Sequence, residues 1–377
     1  FRSGFWGTTS YTAPMTFLKY TSADGVVPAD TTAFADAGLG DVALVSADTV
    51  MDADRHVKAL QFGANCDLEI PEGKTLTLGN GTDPTGVVLY PRGVATNFVS
   101  GAGTIDFCTA QGIFWIGNHN SRSTVSFGDV AISGSGGVIF ADRHATTRSS
   151  IYALYAANCH WTGPTYVDSC ILGMMDAAQT EIDGDIYVRG NSMGGAGLYH
   201  KAEAGGSKTF NFNGHLYLTG PSDQGLSDSQ YAYSTFFASK AWSDNRTINF
   251  KGGVTVRHNV QFQSSYNANN SNRGHFKCTM NFDSPIDGDG SIHFPYNTLD
   301  AYFNKANTYS GATHIAHDTR LYVVGEGTLG KGPVTVNLTV MHNGVYKEAM
   351  LTFKNKSDYA MDNLFSGNGT IALSNSS

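Results

Sequence analysis

Asn307–Asn337, NTYSGATHIAHDTRLYVVGEGTLGKGPVTVN, decides how the rest of the chain is read. Its short alternating runs, Thr313 to Ile315, Arg320 to Val323 and Val334 to Val336, have the period-2 pattern of strands. Gly311, Gly325, Gly327, Gly330 and Gly332 break them too often for one hairpin. The pattern fits one turn of a stacked structure in which a strand lies flat, a glycine turns the corner and the next strand continues.

Working outward, a unit of the form apolar-x-Gly-x-apolar-x-apolar recurs. It appears at Trp161-Thr-Gly163-Pro-Thr165-Tyr-Val167, Ile182-Asp-Gly184-Asp-Ile186-Tyr-Val188 and Phe212-Asn-Gly214-His-Leu216-Tyr-Leu218. It returns at Phe250-Lys-Gly252-Gly-Val254-Thr-Val256 and Tyr309-Ser-Gly311-Ala-Thr313-His-Ile315. Looser copies are Phe127-Gly128-Asp-Val130-Ala-Ile132 and Phe282-Asp-Ser-Pro-Ile286. From Gly128 through Gly163, Gly184 and Gly214 to Gly252 the steps are 35, 21, 30 and 38 residues. Such spacing suits repeats of roughly 20 to 30 residues carrying inserted loops. One repeat cannot bury its apolar face alone, but stacked repeats place like side chains over one another at the ~4.8 Å strand spacing.

NTYSGAT and GTLGKGPVTVN resemble the autotransporter-associated β-strand repeat, whose pattern is NTYTGGT…GTLGxGPVTVN. Gly101-Ala-Gly103-Thr-Ile105 and Gly367-Asn-Gly369-Thr-Ile371 are similar to its SGxGTL element. Leu60-Gln-Phe62-Gly63 with Gly73-Lys-Thr-Leu-Thr-Leu-Gly79 looks like early turns of such passengers. The resemblance is clear over 307–371 and weaker over about 55–140, while 141–300 carries only the generic spacing. It implies an all-β chain, a right-handed parallel β-helix with inserted loops. It also implies a Gram-negative-type bacterium's cell surface or extracellular space. Residues 1–40 are then expected as an N-terminal cap or lead-in, and 41–377 as a single β-helix.

Composition agrees with this class. Of 377 residues 44 are glycine, and charged residues make up 15% where ~25% is usual. No window sustains a 3.6-residue apolar stripe, and 12% aromatics argue against disorder. The net charge of −8, with no basic run, makes nucleic acid a poor partner. No apolar stretch reaches a membrane span, so no membrane insertion is expected. The first residues, FRSGFWGTTSYTAPM, lack a basic and then apolar leader, so any targeting signal is expected outside this segment.

The chemistry-bearing residues are scattered. Cys66, Cys108, Cys159, Cys170 and Cys278 form no C-x-x-C pair and read as buried thiols, with a Cys159–Cys170 disulfide as the alternative. Gly190-Asn-Ser192-Met-Gly194 matches G-x-S-x-G, but Gly195 and Gly197 oppose the helix a nucleophile elbow needs. Asp183-Gly-Asp185 and Asp287-Gly-Asp289 read as an acid–base pair, as calcium ligands or as ordinary turns. His314 and His317 face opposite sides of a strand, which is wrong for one metal. Asn118-His119-Asn120 reads as a turn, and the Asn80, Asn245, Asn337 and Asn368 sequons carry no message in a bacterium. No cofactor or metal site is expected.

Two segments read as insertions, Gly220 to Asp244 and Ser264 to Gly274. The first holds Tyr231, Tyr233, Phe236, Phe237 and Trp242, which are either candidate binding residues or a surface cover. The leading expectation is a non-enzymatic passenger or stalk that adheres to glycans or other host or bacterial surface molecules. A polysaccharide lyase or glycosidase, and a structural subunit self-associating end to end, are the alternatives.

Overall fold

The computed structural model describes residues 6–7, 16–23, 25–63, 66–89, 95–116, 124–142, 151–154, 158–175, 181–190, 196–201, 208–220, 235–240, 246–264, 278–295, 299–316, 318–340, 346–354 and 361–374. These residues are all-β, with long parallel sheets and no α-helix among them. The chain divides into two compact units, Phe1–Leu172 and Gly173–Ser377.

The first unit opens with three antiparallel strands, Trp6–Gly7, Thr16–Thr21 and Gly25–Pro28. Parallel pairing then begins at Thr31–Ala33, inside the segment expected as a lead-in, and continues through Val42–Val45, Ala59–Phe62, Thr85–Leu89, Gly112–Ile116, Val138–Asp142 and Thr165–Asp168. A second parallel sheet runs Arg55–Val57, Thr75–Leu78, Thr104–Asp106, Ala131–Gly134, Cys159–Trp161. From Val42–Val45 onward each of these strands therefore pairs with the corresponding strand of the next repeat and not with its chain neighbour. In-register pairing stacks Ala43, Leu60, Val87, Phe114, Phe140 and Val167 in one buried column. The Phe114 and Phe140 rings lie 5.5 Å apart and nearly parallel.

The second unit repeats the plan. One sheet holds Ile186–Arg189, Leu216–Thr219, Val254–Arg257 and Ile286–Gly288. Another runs Ala196–Lys201, Thr235–Lys240, Asn259–Gln263, Ser291–Phe294, Thr313–Ala316, Val334–Asn337, Phe365–Gly367. A third runs Glu181–Ile182, Lys208–Phe212, Arg246–Phe250, Cys278–Phe282, Leu299–Phe303, Thr319–Val324, Met350–Lys354, Thr370–Leu373. Phe212, Phe250 and Phe282 stack in the core at 5.5 and 4.7 Å, and Phe237 and Phe262 meet them edge-on.

The strands within the opening stretch fall where the alternation placed them, at Thr313–Ala316, Thr319–Val324 and Val334–Asn337. Its residues bond at a separation of 21: Asn307 donates its backbone N–H to the Thr328 hydroxyl oxygen and its side-chain amide to the Thr328 carbonyl. The same side chain accepts the Ile286 N–H, so one buried Asn ties three consecutive repeats together. Asn363 bridges the Gly330 and Gly332 carbonyls, and Asn158 bridges those of Gly128 and Val130. The aromatic that opens the recurring unit also has a polar task. Trp161 donates to Thr165 and Tyr309 bonds Thr313, in both cases four residues on.

The unit's glycine is dictated by close approach. A Cβ on Gly252 would lie 2.2 Å from the Gly214 carbonyl oxygen, and one on Gly332 would lie 2.1 Å from that of Gly311. Backbone stands over backbone there, and no rotamer change makes room.

The Gly220 to Asp244 segment departs from its expected form. It contains the strand Thr235–Lys240, in register with Ala196–Lys201 and Asn259–Gln263. Polar flanks hide it in the sequence, although Phe237 lines up with Leu198 and Phe262 in the core.

Candidate functional site

The strands Ile186–Arg189, Leu216–Thr219, Val254–Arg257 and Ile286–Gly288 alternate strictly, with Ile186, Val188, Leu216, Leu218, Val254, Val256 and Ile286 inward. The intervening side chains are thereby fixed on the outer surface. In-register pairing lines up Tyr187, Tyr217, Thr255 and Asp287 as one outward column. Beside it run Arg189, Thr219 and Arg257.

The column is bonded along its length. The Tyr187 and Tyr217 rings stack at 4.4 Å with planes 1° apart, and His215 stacks on Tyr217 at 4.3 Å. His215 Nε2 is 2.9 Å from Thr255 Oγ1, and Thr255 Oγ1 is 2.6 Å from Asp287 Oδ1. A carboxylate only accepts, so Thr255 gives its single hydrogen to Asp287 and its lone pair receives the His215 Nε2–H. The imidazole tautomer follows from that chain. Because His215 leans toward Thr255, it covers the face of Tyr217 turned away from Tyr187. Asp185 accepts the His215 backbone N–H at 2.9 Å. Gly253, at φ 94°, makes the seat: a Cβ there would stand 3.0 Å from His215 Nδ1 and Cε1.

The carboxylates of this face are engaged by neighbouring repeats. Asp183 and Asp185 precede the strand Ile186–Arg189, Asp287 lies within Ile286–Gly288 and Asp289 follows it. Asp183 and Asp185 accept from Asn213 and His215 of the next repeat, and Asp287 from Thr255. Among the described residues no group of three or more His, Cys, Asp or Glu could hold a metal ion.

Of the five aromatics expected to bind, Tyr231, Tyr233 and Trp242 lie outside the described residues. Phe236 belongs to the strand Thr235–Lys240. Phe237 is fully buried against Phe212 and Phe250, so its ring is not offered to a ligand. Gly190 follows its strand, whereas Ser192 and Gly194 fall outside the described residues, as do Asn118, His119, Asn120, His317 and the Ser265 to Gly274 stretch. A histidine contact that the sequence does not suggest joins His293 to His314, with rings 5.6 Å apart on adjacent strands.

All five cysteines are free thiols, including Cys159 and Cys170; Cys66, Cys170 and Cys278 are buried as expected, whereas Cys108 and Cys159 are only half-buried. Cys170 donates to the Phe140 carbonyl at 3.2 Å. Burial pushes the Cys159 thiol up to about 12, and burial first, then Asp142, holds Cys170 well above its usual range. Neither is a nucleophile at neutral pH.

No family model, curated protein or solved structure matches the chain. The likeness to autotransporter repeats therefore rests on the residues quoted for it.

Sequence reasoning misses the tyrosine column, because alternation alone marks Tyr187 and Tyr217 as nothing more than outward positions of the recurring unit. A tyrosine three residues after the glycine in three copies, Tyr166, Tyr187 and Tyr217, is the signal that could have found it.

Proposed function

We propose that this chain is a right-handed parallel β-helix segment of a bacterial surface or secreted protein, in the manner of an autotransporter passenger, and that it binds glycans without turning them over. Three features support the helix. Parallel strands pair repeat to repeat, Asn and Gly residues recur at the corners, and the 21-residue offset of the Thr313–Val334 pairing is kept from Asn307 to Thr328. Right-handedness follows from the near-universal hand of parallel crossovers. The resemblance of 307–371 to passenger repeats supports the extracellular setting.

The observation that carries glycan binding is the outward column Tyr187–Tyr217–His215–Thr255–Asp287. It is a rigid row of phenol, imidazole, hydroxyl and carboxylate groups, the types that bind sugar hydroxyls. The purified chain on a glycan array should retain specific sugars. Tyr217→Ala with Asp287→Asn should lose them while the circular dichroism spectrum stays unchanged. Equal retention by the double variant, or no retention by the parent chain, would refute this function.

A further inference from the structure

We infer that the ligand of this face is a linear, uncharged oligosaccharide lying across the strands, with one sugar ring on each of four successive strands. The inference rests on the glycan reading and adds to it the ligand's length, direction and charge.

Spacing sets the direction. Along one strand, outward positions recur only every second residue, roughly 6.7 Å apart, and the strand Ile186–Arg189 offers just Tyr187 and Arg189. Across the strands they recur at about 4.8 Å, and four lie in line: Tyr187, Tyr217, Thr255 and Asp287. A pyranose linked through O1 and O4 advances by close to one strand spacing, so successive rings meet successive strands without either partner bending. Parallel in-register pairing holds that spacing over all four.

Hydrogen bonding sets the contact. Tyr187 and His215 already cover both faces of the Tyr217 ring, so a sugar does not stack there. What remains are polar edges that both donate and accept. The Tyr187 and Tyr217 hydroxyls donate and accept, and Asp287 Oδ2 is an acceptor beside the oxygen that Thr255 occupies. Sugar hydroxyls satisfy each in turn.

Charge sets the class. Asp185, Asp287 and Asp289 line the face beside Arg189 and Arg257, within a chain of net charge −8. A uronate or sulfate on every ring would meet these carboxylates at unfavourable range.

Calorimetry on the 377-residue chain tests this with cello-oligosaccharides of one to six units and oligogalacturonates of equal length. Association should strengthen by about fivefold per ring, one net hydrogen bond, up to four rings and then stay level. Each galacturonate should bind more weakly than its neutral counterpart. Asp287→Ala should remove the gain in affinity between three rings and four. A single glucose binding as tightly as four, tighter galacturonate binding, or no binding of either series would overturn the inference. Array binding of branched or monomeric sugars alone would leave the glycan reading standing and this one refuted.

Discussion

At the scale of single residues, one threonine gives the outer column its sense. Thr255 has a single hydrogen, and Asp287 can only accept it, so His215 is committed to donate. Thr255→Val removes both bonds at nearly constant shape. It should weaken glycan association by about tenfold and cost about 1 kcal/mol in urea unfolding, and Thr255→Ser should restore both. Gly253→Ala drives a methyl toward the His215 ring at a φ of 94°. We expect it to cost about 2 kcal/mol and to disturb the His215 Cε1–H resonance in the NMR spectrum. The thiols give a pH signature. Cys159 titrates at about 12 in the fold against 9.0 unfolded, so its contribution is complete below pH 9. It is lost as pH rises through the folded value. The melting temperature should therefore hold steady from pH 7 to 9 and fall above it. Thiol reagents should reach the buried Cys170 only in denaturant, and fast labelling of Cys170 in the native chain at pH 8 would contradict its burial.

At the scale of elements, the corner glycines and the aromatic columns fix the repeat. Gly252→Ala presses a methyl into the Gly214 carbonyl, and the clash involves backbone on both sides. It should destabilise by about 3 kcal/mol, the upper range for overpacking, and Gly332→Ala should do the same. Gly73→Ala has open space around it and tests instead the φ of 75°, at a cost nearer 1 kcal/mol. Equal losses at all three sites would mean that backbone contact is not what selects glycine at the corners. Phe250, stacked between Phe212 and Phe282, should cost about 4 kcal/mol as Ala. These elements are legible in the sequence because the recurring unit encodes them twice over. Glycine marks the close approach, and alternation marks the strand that follows. Thr235–Lys240 is not legible, because Ser, Thr and Lys surround its apolar residues and only its register with Leu198 and Phe262 reveals it.

At the scale of the whole molecule, paired strands stand far apart in sequence. Asn211 meets Asn249 at a separation of 38 and Asn281 meets Asn249 at 32. Loops of that length must close before the strands they join can pair, so refolding from urea should take seconds or longer in stopped-flow fluorescence. Completion within a millisecond would be incompatible with this pairing. Sequence periodicity reveals that repeats stack, but not which outward residues come together. Tyr187 and Tyr217 are 30 positions apart, and only the register makes them neighbours. Sequence reasoning accordingly points to the aromatic insertion, whereas the bonded column arises on the regular strands. A last row on another sheet makes the same point about distance. Asn281 donates to Asn249, Asn249 to Asn211, and Asn211 to Glu181, at 2.8, 2.8 and 3.2 Å. Only the terminal member is charged, and its inability to donate forces every amide above it to point one way. The orientation of a side chain one hundred positions downstream is thus inherited from one carboxylate. With Glu181→Lys the row would keep its spacing and reverse its polarity, turning each Asn carbonyl toward the new ammonium.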